Sequence, residues 1–374
     1  MKTILPVESG DTLKALQDFL RRLLESGEVE ALLVPMRTPQ GTVTPALVAD
    51  PSWLVDADPL APVLPVNGAT LAGKLGVREP RVKVGAVMRA CELRALVELT
   101  KMQQASMDNL TLISVDCAGT YSVPAYQRAV AAGGKGKGQG LWQELYAEAV
   151  SQPEAPRDGL RSACKICEQP VYEGAQILVE LIGSDLTSEI RVSLPDELGM
   201  KLGLSESSIS DDRTGIVSKL VAARIALRDA EFAAIRTRLE GPEALQGVLA
   251  ACIRCHNCMT VCPICYCKTC VFKSAIFDHE PAKFVAWAQQ KGAYRLPADT
   301  MLFHLTRLNH MALSCVGCGM CTEACPAELP VGMIFRALAQ GAQTAFGYAA
   351  GRNLDEPLPL VTFKADEWTE VGKS

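Results

Sequence analysis

Apolar residues change their spacing several times along the chain, and each change marks an element. Asp11 can cap a helix that carries Leu13, Leu16, Phe19, Leu20, Leu23 and Leu24 on one face at helical spacing. Short β-like runs follow at Ala31–Val34 and Val43–Val48, split by the turn-prone Pro39-Gln40-Gly41. Residues 50–68, rich in proline and aspartate, read as an ordered loop or cover. Val82–Met88 and Leu110–Val115 are continuous apolar runs with a helical stretch from about Glu92 to Met102 between them. Strand, helix, strand in that order predicts a parallel α/β unit. Ala175–Ile182 and Glu189–Leu194 read as further strands. Helical periodicity then takes over, with Ser218–Leu239 a long amphipathic helix ended by Gly241-Pro242. Two more helices are expected downstream. One places Met301, Leu302, Leu305, Leu308 and Ala312 on one face, and the other spans about Val331–Phe346.

Composition narrows the class. The 374 residues are long enough for two or three domains, and 48% hydrophobic content suffices for substantial cores. A net charge of −5 argues against nucleic acid as a partner. No apolar run approaches a membrane span, and the N-terminus meets acidic residues too early for a signal peptide. Fifteen cysteines, an odd number in dense groups, do not form a secreted disulfide framework, so a reducing cytoplasm is expected.

Those cysteines carry the chemistry. Cys252–Pro263 and Cys315–Pro326 each read C-x2-C-x2-C-x3-C-P. In that run three thiolates curl around one cubane iron–sulfur cluster while the fourth, before proline, ligates the other. The spacing therefore assigns one cluster to Cys252, Cys255, Cys258 and Cys325, and a second to Cys315, Cys318, Cys321 and Cys262. Zinc is the alternative for paired C-x2-C units. The long spacer between Cys262 and Cys315 suits an α-helical two-cluster domain better than a compact β-α-β ferredoxin.

A third group is more dispersed. Cys91 and Cys117 fall just past the carboxyl ends of the two buried strands, where α/β sheets place their chemistry. With Cys164 and Cys167 they make up four ligands for a further cluster. Buried structural thiols, or a redox disulfide between Cys164 and Cys167, are the competing readings. Assigned in this way, the clusters leave over Cys265, Cys267 and Cys270, which either cap a cluster, hold another metal with an outside ligand, or are buried thiols. Arg254, Lys268 and Lys273 add positive charge near the first run. His256 inside it, and His279, His304 and His310, read as surface or helix-contact residues. The glycine–lysine stretch Ala131–Leu141 lacks the spacing of either phosphate-binding loop and reads as a lid or linker rather than a phosphate cradle.

The segments AVMRACELRALVEL, TLISVDC and SACKICEQPVYEGAQILVELIGSD resemble the cluster-binding segments of the coenzyme F420 hydrogenase/dehydrogenase β-subunit family, which includes formate dehydrogenase β-subunits. The match falls on Cys91, Cys117, Cys164 and Cys167, with Ala90 where the family often has proline. The segment SCVGCGMCTEACPAELPVGMIFRAL is similar to the helical ferredoxin domains of heterodisulfide reductase and fumarate reductase subunits. Together the resemblances cover roughly residues 80 to 345. They imply an α/β domain with a mixed sheet, one [4Fe-4S] cluster and FAD, followed by an all-α ferredoxin-like domain with two more clusters. The expected divisions are a cover region at 1–80, the α/β domain at 81–240, the ferredoxin domain at 241–350 and a tail at 351–374. The implied activity is that of an oxidoreductase subunit. It would exchange electrons with a formate dehydrogenase or hydrogenase catalytic subunit, or with coenzyme F420, and pass them to a partner complex. A flavin-free wiring subunit joined to heterodisulfide-reductase-like partners is the alternative. No residue maps to a flavin contact, and none is identified as catalytic.

Overall fold

A computed structural model describes residues 1–77, 82–133, 138–209, 212–278, 280–292 and 299–361. Seven strands form one sheet: β1 (Lys2–Pro6), β2 (Ala31–Arg37), β3 (Val43–Val48), β4 (Val84–Arg89), β5 (Leu110–Val115), β6 (Ile177–Glu180) and β7 (Glu189–Ser193), in the order β1-β7-β6-β5-β4-β2-β3. The centre, β2-β4-β5-β6, is parallel, and both edges are antiparallel. The sheet is therefore mixed, as the apolar runs and the resemblance led one to expect.

Helices cover both faces. Before the sheet closes come α1 (Thr12–Glu25), α2 (Ala69–Gly76), α3 (Ala90–Lys101), α4 (Val123–Gly133), α5 (Gly138–Ser151) and the single turn α6 (Ser162–Lys165). Then follow α7 (Asp196–Lys201), α8 (Asp212–Arg238), α9 (Pro242–Leu249), α10 (Asn257–Thr260), α11 (Pro281–Lys291), α12 (Thr300–Met311), α13 (Met320–Glu323) and α14 (Val331–Ala345). Among the described residues no strand follows Ser193, so the cysteine-rich end is helical.

Side-chain alternation in the strands feeds two cores. Val87, Ile113 and Val115 join the α1 stripe, Trp142 and Leu220 on one face. Ala86, Met88, Leu110 and Leu112 face the other way, with α3. Every residue of β4 is buried because both of its faces are covered. Asp11 caps α1 by accepting from the Lys14 backbone N–H at 3.0 Å, and all six residues of the expected stripe are buried.

The sheet and the core run across both expected divisions. In the expected α/β cover region at 1–80, β1, β2 and β3 belong to the one sheet and β1 pairs with β7. The division at 241 is crossed by a shared core. Phe303, Met311, Ile334, Phe335 and Tyr348 pack in one cluster with Leu33, Ala86, Met88 and Leu112. Residues 134–137 of the glycine–lysine stretch lie outside the described residues. Its flanks close α4 and open α5. His279 and residues 362–374 of the expected tail also lie outside the described residues. Among the described residues no helix is long and apolar enough to cross a membrane.

Candidate metal centres

The two cysteine runs fold alike, residue for residue. In the first, Arg254 and His256 take left-handed φ values of 56° and 60°; in the second, Gly317 and Gly319, at the same offsets, take 72° and 72°. A single helical turn follows each pair: α10, holding Cys258, and α13, holding Cys321. Left-handed residues at these offsets curl the backbone of each run in the same way. Non-glycine residues at φ near +60° cost on the order of 1 kcal/mol each, so the first run holds this curl against its own preference. After each Cys-Pro the chain turns again in the same way. Cys265 N–H donates to the Cys262 carbonyl at 3.1 Å, and Glu328 N–H donates to the Cys325 carbonyl at 3.1 Å.

The second run surrounds a cavity. Cys262, Cys315, Cys318 and Cys321 line it with Arg307, Met311 and Phe335, and its volume is about 30 Å³. Burial pushes Cys262 up to about 12 and Cys318 to about 11, and lifts Cys321 further. For the first run, burial raises Cys252, with Cys325 and Cys255 adding to it. Burial also takes Cys258 to about 11, opposed by Arg307 and helped by Cys252, Cys255 and Cys325. Each of the two assigned sets therefore draws its cross-run cysteine into electrostatic reach. Such thiols bind metal only by giving up protons that burial holds on.

The third set also converges. Cys91, in the first turn of α3, and Cys117, after β5, meet Cys164 and Cys167 around a second cavity of about 30 Å³. Gly317 and Cys318 line both cavities, so the two adjoin. Burial raises Cys117 to about 11 and Cys91 well above the ordinary thiol range. Burial opposes ionisation of Cys164 too, but Arg161 and a hydrogen bond with Thr120 outweigh it and leave this thiol lowered. Glu92 secures the start of α3 by accepting from the Arg89 N–H at 2.9 Å and the Gly68 N–H at 2.8 Å. Among the described residues, no three His, Cys, Asp or Glu side chains are arranged to hold a single ion.

Cys265, Cys267 and Cys270 gather beyond the first run. Burial raises Cys265, Arg307 opposes it, and Cys267 and Cys270 add to it. Cys267 is exposed.

The leucine stripe expected on α12 misplaces its inner face. Leu302 and Leu305 are 53% and 46% exposed, and the buried residues are Phe303, His304, Arg307 and Met311. His304 is not a surface residue, since its Nε2 lies 3.4 Å from Cys252 Sγ. Burial and then Arg307 lower its pKa to about 4, which keeps it neutral. His256 is half-buried and stacks on Phe303, while His310 is exposed. Of the three cations expected near the first run, Lys268 and Lys273 are exposed, and Arg254 is paired with Asp299. The cations that reach the cysteines are buried arginines. Arg307 Nη1 donates to Cys258 Sγ at 3.1 Å, Arg161 Nη2 donates to Cys164 Sγ at 3.6 Å, and Arg224 Nη1 donates to the Cys167 carbonyl at 3.3 Å. An arginine three residues after a histidine on a helix bracketed by cysteine runs was the available signal, and the leucines masked it.

Residues 248–329 match the family described as a 4Fe-4S dicluster domain. The F420-dependent formate dehydrogenase subunit beta of Methanocaldococcus jannaschii is 24% identical over 340 residues, covering 84% of this chain and 84% of that protein. The F420-dependent formate dehydrogenase 1 subunit beta of Methanococcus maripaludis is 24% identical over 305 residues, covering 74% of this chain and 75% of that protein. A chain in the xenon-derivatised F420-reducing [NiFe] hydrogenase complex from Methanosarcina barkeri aligns at a TM-score of 0.44 with 13% identity, over 65% of this chain and 94% of that chain.

Proposed function

We propose that this chain, a relative of the β-subunits of F420-dependent formate dehydrogenase, is an iron–sulfur electron-transfer subunit that carries three [4Fe-4S] clusters in a row. The clusters would sit on Cys91, Cys117, Cys164 and Cys167; on Cys262, Cys315, Cys318 and Cys321; and on Cys252, Cys255, Cys258 and Cys325. Two adjoining cysteine-ringed cavities that share Gly317 and Cys318 carry this reading, because they give electrons a continuous route from the sheet into the helical, ferredoxin-like region. Cubane clusters supply single-electron exchange. The chain's own part is to hold them, exclude water and tune them. Cys255 is the one exposed cysteine among the twelve assigned ligands, which makes the first run the natural outlet to a partner subunit.

FAD rests on the resemblance alone. A polar cleft of about 340 Å³ lies over β5, β6 and β7 beside Asp116, the residue before Cys117. Of the cations lining it, Arg213 pairs with Asp116 and Glu180 and Arg191 with Glu189, while Lys2 stands beside them. No residue is assigned to a flavin, and no electron step is assigned to it. The second reading is a flavin-free wiring subunit between a catalytic subunit such as formate dehydrogenase or hydrogenase and heterodisulfide-reductase-like partners.

The test is anaerobic purification with iron, acid-labile sulfide and released flavin measured per chain. About twelve irons with matching sulfide is the expected result. One flavin per chain would restore the flavoprotein reading, and none would leave the wiring subunit. About eight irons would remove the site on Cys91, Cys117, Cys164 and Cys167, and zinc without sulfide would overturn the proposal.

A further inference from the structure

Among the described residues four buried arginines, Arg94, Arg161, Arg224 and Arg307, make no ion pair with a carboxylate, and two of them, Arg161 and Arg307, donate to cysteine sulfur and stand between cysteine sets. Arg307 is 3% exposed and Arg161 is 4% exposed. Among the described residues neither makes an ion pair with an acidic side chain, and the Nε of each is without a partner. The neighbouring arginines differ: Arg336 pairs with Glu168 and Arg254 with Asp299. An unpaired buried guanidinium is costly, of the order of several kcal/mol, unless some other negative charge compensates it. Here the negative charge within reach belongs to the cysteines.

Their placement repeats. Arg307 grips Cys258 of the first run at both sulfur and carbonyl, 3.1 and 3.0 Å away, and lines the cavity of Cys262, Cys315, Cys318 and Cys321. The rings of Phe303 and Phe335 flank it, with the guanidinium 5.5 and 5.0 Å from their centres. Arg161 donates to Cys164 Sγ at 3.6 Å and to the Cys318 carbonyl at 3.0 Å, and so spans the next junction. Each arginine therefore touches two consecutive sets.

We infer that Arg161 and Arg307 are redox-tuning residues, one at each junction of the three-cluster row, and that each raises the reduction potential of the two clusters it touches. Reduction adds negative charge to a thiolate-held cluster, and a fixed cation in a dry site favours the more negative form. A charge-assisted N–H···S bond acts in the same sense. The inference rests on the three-cluster reading proposed above.

The experiment is a potentiometric titration of the intact chain followed by EPR, with iron per chain measured alongside. Arg307→Gln is expected to lower the reduced-to-oxidised ratio of the cluster on Cys258 about tenfold at a fixed potential, equivalent to about 59 mV. It should lower the cluster on Cys262 less and leave that on Cys91 unmoved. Arg161→Gln should give the mirror pattern, moving the clusters on Cys164 and Cys318 and sparing that on Cys252. If a glutamine variant loses iron, the lysine variant decides, since it keeps the charge but loses the two-point grip. By keeping that charge it should hold the clusters on Cys258 and Cys164 near their parent potentials, and a downward shift as large as that expected for glutamine would overturn the inference. Unchanged potentials at full iron, or a uniform shift of all three clusters by either variant, would overturn the inference. Wild-type protein lacking three reducible signals would instead count against the three-cluster reading itself.

Discussion

Asp58 is a carboxylate placed where water does not reach: it is 5% exposed and its Oδ1 lacks a partner. Burial raises its pKa from 3.8 to about 6, against the pull of Arg37 and of backbone N–H groups at Ala61 and Leu60. The folded state therefore holds a proton that the unfolded chain has already released between those values. By linkage this contribution to stability is fully present below 3.8 and is lost as pH rises to about 6. Asp58→Asn removes the buried charge at nearly constant shape. It should raise the unfolding free energy at pH 7.5 by roughly 1–2 kcal/mol and flatten the slope between pH 5 and 6.5. Urea unfolding across that range checks both. A variant less stable than the parent at pH 7.5 would mean that Arg37 and Arg89 support the ionised form. At this scale the two cysteine runs were legible as motifs, because their spacing is local. Arg307 and Arg161 were not, because burying a cation pays only once folding brings the cysteines to it, and His304 was not, because its contact with Cys252 spans 52 positions.

At the scale of elements, the two cysteine runs are one device built twice, and their glycines differ in what they permit. Gly319 has φ near 72°, and a Cβ there would overlap that of Ala163, next to Cys164 in α6. The equivalent His256 carries a side chain, which stacks on Phe303. Gly319→Ala should push α6 from the second run, lower iron content by about four per chain through loss of one cubane, and leave the first run loaded. Full iron occupancy would show that α6 moves freely. The same scale explains which elements could be read from the sequence. The α1 stripe and the β4-α3-β5 unit are dense in leucine and valine, so their periods stand out. The strand β1 is only five residues with two buried. The helix α2 buries Ala69, Ala72, Gly73 and Gly76, which carry almost no hydrophobic signal. Helices α4 and α5 meet at a glycine-rich stretch, where each glycine costs about 1 kcal/mol of helix propensity.

At the scale of the molecule, the sequence breaks at residues 80 and 241 mark changes of composition, not gaps in packing. A composition change says nothing about which strand pairs with which, and the partner of β1 lies nearly two hundred positions away. The core behind β4 and β5 runs on into α12 and α14, so the sheet and the helical end share buried surface. They also share polar contacts. Glu98 of α3, fully buried, accepts from the Tyr348 hydroxyl and from the Gly351 N–H at 2.7 Å, while Lys101 stands 3.7 Å away. Arg94 donates to the Ala350 carbonyl at 2.9 Å and to the Val316 carbonyl beside the second run at 3.2 Å. A unit tied in this way unfolds as one. Tyr348→Phe removes one donor from a buried carboxylate and should cost about 1–3 kcal/mol. Its effect must then appear equally in the sheet and at the clusters. Urea midpoints from far-ultraviolet circular dichroism and from visible cluster absorption should coincide in the parent and move together in the variant. A cluster transition that shifts while the sheet transition stays would separate the two regions, and the division at 241 would then be a true boundary.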